Sequence, residues 1–160
     1  MEDFTIDPLY KGEVMADDYV LAIDVSAEQN ADVDDYAVVQ EHIAGVDSAL
    51  SAETNEKQYI RGGKSSSKKS TQRTFGVEGD KYIGDEFQDY VDSHEIKYGV
   101  GSKVVVNYVY FCLLNGVGEK GKVMIATNKD GGGNAGDNAG ISINLSKNGA
   151  APTKYTYSKA

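Results

Sequence analysis

The chain contains no tryptophan, two prolines, two histidines and a single cysteine, and each scarcity removes a class of protein. With one cysteine there is neither an internal disulfide nor a cysteine-based metal site. Cys112 stands in a Val/Tyr/Phe run and reads as a small buried hydrophobe. Most of the 11 tyrosines fall on apolar strand faces and tryptophan is missing, so the aromatic platform of a carbohydrate-binding sandwich is not evident. His42 and His94 lie far apart without a partner motif such as H-E-x-x-H. His94-Glu95 reads as a local surface pair, and no residue is assigned as catalytic or as a metal ligand.

Long apolar runs are also lacking. The longest, residues 104–114, is interrupted by Asn107 and falls short of the ~18 residues of a membrane span, so no membrane partner is expected. Met1-Glu2-Asp3-Phe4 has neither the basic nor the apolar region of a secretory signal, so the expectation is a chain made and folded in a cytoplasm.

Positive charge is the remaining shortage: 16 Lys and Arg face 25 Asp and Glu, for a net charge of −9. A protein that grips nucleic-acid phosphates needs the opposite balance, because Lys and Arg displace the counterions. The charge is also segregated. Residues 1–50 carry 13 acidic side chains and one base, Lys11. Residues 57–73 then carry Lys57, Arg61, Lys64, Lys68, Lys69 and Arg73 with no acid. An acidic half beside a basic segment lets copies attract one another head to tail, whereas a plain solvated surface needs no such partner.

What is present is a series of short runs with period-two alternation, separated by Gly, Asn, Asp and Ser, the pattern of an antiparallel sandwich or barrel. At 160 residues one domain buries about two-thirds of its unfolded surface. Tyr19, Leu21, Ile23 and Val25 share one face of a first strand. Residues 36–41 and 43–50 follow as strands that pair locally, and residues 57–61 and 73–79 flank the basic segment as a long, exposed hairpin with Phe75 and Val77 turned inward. The run 104–114 is apolar on both faces, which places it centrally or turns its second face to a helix or a neighbouring subunit. Residues 122–128 follow, then Ile141, Ile143 and Leu145 alternate with polar residues, and residues 153–158 close the chain.

One helix is predicted, of about three turns. Asp85 is its N-cap and Gln88 the capping-box partner, while Phe87, Tyr90 and Val91 form the stripe that packs on the sheet. Residues 1–18, with Pro8, read as an arm ahead of a single domain over 19–160. Residues 62–72, Gly62-Gly63-Lys64-Ser65-Ser66-Ser67-Lys68-Lys69-Ser70-Thr71-Gln72, are predicted to form a disordered basic loop, because they have little to bury.

Three motifs invite a cofactor and none sustains it. Gly116-Val117-Gly118-Glu119-Lys120-Gly121 matches G-x-G-x-x-G, but a strand pattern follows it where a dinucleotide site needs a helix opening on the last glycine. These glycines read as hairpin punctuation. The glycine-rich stretch 131–138 lacks the Lys-Ser/Thr of a P-loop and reads as a flexible connection. Glu28, Asp32, Asp34 and Asp35 lack the spacing of an EF-hand. No cofactor is expected.

The residues Tyr59-Ile60-Arg61-Gly62-Gly63-Lys64, Gln72-Arg73-Thr74-Phe75, Gly84-Asp85-Glu86-Phe87-Gln88-Asp89 and Lys97-Tyr98-Gly99 before the apolar strand form a pattern similar to the tail-tube proteins of long-tailed phages of Gram-positive bacteria. Val39-Gln40-Glu41, the stretch 49–54 and Pro152-Thr153-Lys154-Tyr155-Thr156-Tyr157 extend the resemblance over residues 36–157. The resemblance implies an all-β fold, β-sandwich or barrel-like, with one flanking helix. It also implies homo-hexameric rings that stack into a tube through which DNA passes without specific binding. Further partners it implies are the tape-measure, terminator and distal tail proteins, and the location it implies is the virion tail. It assigns contacts between rings to an extended loop, here Arg61, Lys64, Lys68, Lys69 and Arg73, and to the arm 1–18. The related alternatives are the tube of a phage-tail-like bacteriocin and a monomeric β-sandwich that binds a ligand.

Overall fold

The structure, a computed structural model, describes residues 3–158. Eight strands form one antiparallel sheet: β1 (Tyr19–Ile23), β2 (Ala37–Val38), β3 (Ile43–Tyr59), β4 (Gly63–Asp80), β5 (Val105–Cys112), β6 (Val117–Asp130), β7 (Gly140–Lys147) and β8 (Thr153–Thr156). Their order across the sheet is β2-β1-β5-β6-β7-β4-β3, with β8 also paired to β6. Two short helices, α1 (Glu86–Val91) and α2 (His94–Lys97), follow β4. The all-β expectation holds.

The sheet curls like a barrel left open on one side. Phe75 of β4 meets the rings of Tyr108 and Tyr110 of β5 at 5.5 and 5.0 Å, although β6 and β7 separate these strands in the sheet. The Tyr110 hydroxyl donates to Ser48 Oγ of β3, 3.1 Å away. Inside the curl, Leu21, Ile23, Phe75, Val77, Tyr108, Val123, Ile143 and Leu145 form one core with Phe87, Val91 and Ile96 of the helices. Each such side chain contributes about 1.5–3 kcal/mol on burial.

Strand β5 is covered on both faces, as its sequence requires. Val106 and Tyr108 belong to the inner core, while Val109 and Phe111 form a second cluster with Val20, Ala22, Tyr36 and Tyr157. Phe4 and Ile6 pack against this second cluster. Phe4 lies edge-on to Phe111 and Tyr157, and its N–H donates to the Tyr157 hydroxyl at 3.1 Å. Of the expected arm, Met1 and Glu2 lie outside the described residues. Residues 4–6 cover apolar surface, and residues 7–17 are exposed.

Four sequence expectations are corrected. The strand expected over 36–41 is reduced to two residues and pairs with β1, not with its successor. The single helix of three turns is two short ones. Ser93 donates from Oγ to the Tyr90 carbonyl at 2.7 Å and takes extended backbone angles, so α1 stops and α2 starts anew; Asp and Ser compete for backbone bonds in this way. Asp85 caps α1, accepting from Gln88 N–H at 3.1 Å, but the Gln88 side chain does not return to the cap. It is buried and bonded elsewhere. Finally, residues 63–72 are not an irregular loop: they form the first half of β4, in register with β3.

The G-x-G-x-x-G segment has three structural tasks. Gly116 takes φ +74 in the turn before β6. At Gly118 a Cβ would stand 2.0 Å from the Tyr110 carbonyl oxygen, so only glycine permits this approach of β5 and β6. Gly121 faces Tyr108 across the ladder, and the tyrosine ring lies over it.

Candidate assembly surface

Strands β3 and β4 are 17 and 18 residues long, roughly three times the usual strand. Only Thr74–Asp80 of β4 has a second partner, β7. Beyond that point the hairpin leaves the sheet as a two-stranded ribbon, and every residue from 47 to 70 is exposed. Serine, threonine and charged residues dominate both of its faces, so hydrogen bonding to β4, not burial, shapes it.

At the tip, Ile60, Arg61 and Gly62 join the strands. Arg61 and Gly63 adopt positive φ of 62° and 72°, and Ile60 is 92% exposed. Lys57 Nζ lies 5.5 Å from the centre of the Tyr59 ring. The tip therefore offers apolar and cationic groups side by side.

The predicted contact residues divide into two sets. Arg61, Lys64, Lys68 and Lys69 lie on the ribbon. Lys64 pairs with Glu56 at 2.7 Å and Lys69 with Glu53 at 3.7 Å, both pairs exposed. Lys69 occupies an irregularity in the ladder, between the pairs Glu53–Ser70 and Thr54–Lys68. The basic segment is thus opposed by acids on the adjacent strand, which linear sequence conceals and hairpin register reveals.

Arg73 belongs to a different site. It stands at the root of the ribbon with its side chain only 12% exposed, and its Nε lies 2.8 Å from Glu119 Oε1 on β6. The geometry is that of an ion pair without an aligned hydrogen bond. The guanidinium lies 4.8 Å from the centre of the Phe75 ring and 4.9 Å from that of Tyr110. Burial pushes the phenols of Tyr108 and Tyr110 above their usual range. Glu119 was not singled out from sequence, because only the fold brings β6 to the root of the hairpin.

β3 presents a free edge 17 residues long; Ile43 to Ala49 border the sheet and the remainder borders the ribbon. A cleft of about 420 Å³ opens between β1–β2 and the start of β3. Leu21, Val39, Ile43 and Val46 line it along with Asp17, and it holds no His, Cys, Lys or Arg.

The remaining candidates are dispersed. Phe87 and Val91 are fully buried and Tyr90 packs against the same core. His42 stacks on Tyr82 at 4.7 Å, and His94 meets Tyr98 at a tilt, 4.9 Å away. Cys112 is buried. Among the described residues no cluster of three or more His, Cys, Asp or Glu side chains could hold a metal, and no helix is long and apolar enough to cross a membrane.

No protein-family model and no curated protein sequence matches the chain. Among solved structures it is similar to a chain from the virion of a native gene transfer agent particle. The TM-score is 0.62 and the identity 12%, over 91% of this chain and 100% of that one. It is also similar to a chain from the tail of an empty gene transfer agent particle, refined helically with C6 symmetry, at TM-score 0.59 and 12% identity over the same shares. At this identity the likeness shows the fold.

Proposed function

We propose that this chain is the structural subunit of a tail tube, of the kind carried by long-tailed phages of Gram-positive bacteria. Its copies form hexameric rings that stack around a lumen through which DNA passes. The observation that carries the reading is the 17-residue strand β3 at the border of the sheet. A long exposed edge invites pairing with another chain, and closing copies into a ring satisfies it. The sixfold symmetry of the similar tail supports six copies.

The charge supports a conduit. With a net charge of −9, the wall repels phosphates and lets the duplex slide. The ribbon, with Ile60, Arg61, Lys64, Lys68 and Lys69, and the exposed segment 7–17 make the contacts between rings. Tape-measure, terminator and distal tail proteins complete the tail, and the subunit, made in the bacterial cytoplasm, resides in the virion.

The test is direct imaging. Purified protein concentrated to the millimolar range and examined by negative-stain electron microscopy and light scattering is expected to show rings or tubes. A strictly monomeric state under those conditions overturns the reading.

A further inference from the structure

We infer that Arg73 and Glu119 form a lock that fixes the direction in which the β3–β4 ribbon leaves the sheet, which makes Arg73 a positioning residue and not a contact between rings. The inference rests on the proposed assembly for its consequence, but its geometry belongs to the isolated subunit.

A two-stranded ribbon is marginally stable and has little to hold its direction. Here the third strand runs out at the root: the last pairs of β7 are Thr74–Ser146 with β4 and Val123–Lys147 with β6. Past Lys147, β6 takes β8 as its neighbour through Val117–Lys120, so the sheet forks, with the ribbon on one branch and β6 on the other. Arg73 spans that fork. Alternation puts it on the face of Phe75 and Val77, and Glu119 shares the face of its ladder partner Tyr110.

The guanidinium is therefore held in three ways, by the Glu119 carboxylate and by two aromatic rings. Two lesser ties accompany it: the Tyr110 hydroxyl to Ser48 Oγ at 3.1 Å, and Gln72 Nε2 donating to the Lys147 carbonyl at 3.0 Å. A planar, delocalised cation stacks on rings while it faces a carboxylate; a lysine ammonium does not reproduce this arrangement. The ring-to-ring contacts of a stacked tube need every ribbon aimed alike, and a ribbon free to swing loses affinity through the ordering it must undergo on docking.

The experiment uses full-length protein with Cys112→Ser and spin labels on Gln58→Cys at the ribbon and Lys154→Cys on β8, both exposed positions. Pulsed electron-spin measurements are expected to give one narrow distance in this parent. Arg73→Lys and Glu119→Gln are each expected to broaden it, with the thermal transition of the body preserved. Without labels, the same two variants are expected to raise the concentration needed for tube formation by about tenfold, the scale of a partly desolvated cation–π and ion-pair contact. An unchanged distance distribution in both variants overturns the lock. If one variant fails to fold, the other decides. Should the parent never assemble, the tube reading fails while the distance measurement still judges the lock.

Discussion

The side-chain amide of Gln88, in the first turn of α1, donates to the main-chain oxygen of Glu41 at 2.9 Å, on a segment 47 residues earlier. The same amide donates to the Asp80 carbonyl at 3.1 Å, and its oxygen accepts from Tyr82 N–H at 2.9 Å. One buried side chain thus satisfies three backbone groups where the helix meets the ends of the hairpin. Gln88→Ala is expected to cost about 3 kcal/mol, since buried polar groups lose their partners. Urea denaturation checks this; a loss below about 1 kcal/mol contradicts the assignment.

Gly118 makes a second stability test. A side chain there collides with the Tyr110 carbonyl and with Phe111, and backbone atoms in a paired ladder have little room to move. Gly118→Ala is expected to destabilise by about 1–3 kcal/mol, read as a lower melting temperature. An unchanged transition would show that β5 and β6 can separate without cost.

Lys64, Lys68 and Lys69 probe the ribbon. Their replacement by Glu is expected to alter folding stability by no more than about 1 kcal/mol, because exposed pairs are worth little. Assembly into tubes is expected to weaken. Normal tubes from the triple variant, seen by electron microscopy, remove these charges from the contact between rings.

Proline tests the edge of β3. Along an edge strand, successive N–H groups point alternately to the paired neighbour and to solvent, and proline is tolerated only at the latter. Of Ser51→Pro and Ala52→Pro, one is expected to lower the melting temperature; the other is expected to spare the fold and block ring formation. If the variant that keeps its melting temperature also assembles normally, β3 is not the joining edge.

The ion pairs of α2 give a pH dependence. Asp130 accepts from Lys97 at 2.9 Å, and that hydrogen bond is the main cause holding its carboxyl below the usual value of 3.8. A depressed folded-state value means that the contribution is complete above pH 3.8 and is lost as pH falls through the folded value. Thermal unfolding followed from pH 5 downward is expected to show a shallower acid limb in Asp130→Asn than in the parent. Parallel limbs contradict the coupling.

Much of the fold is legible along the chain because alternation and backbone geometry are local properties. Ile141, Ile143 and Leu145 alternate with polar residues and line the core. The two-faced apolar run becomes the doubly covered β5, and Asp85 caps α1. The helix length is not legible because the Ser93 hydroxyl bonds the Tyr90 carbonyl, an outcome that depends on where Tyr90 docks. The ribbon is not legible because a segment with nothing to bury looks disordered until its partner strand is known.

By itself the sequence determined the all-β class, the central strand, the helix start and the acidic balance, since each follows from residues near one another in the chain. Only tertiary structure decided that Glu53 and Glu56 oppose the lysines, that Gln88 reaches the Glu41 carbonyl, and that Arg73 meets Glu119 and Tyr110. Glu53 and Glu56 on β3, Glu119 on β6 and Tyr110 on β5 meet residues of β4, and those encounters depend on register and on the curl of the sheet. No linear pattern encodes either.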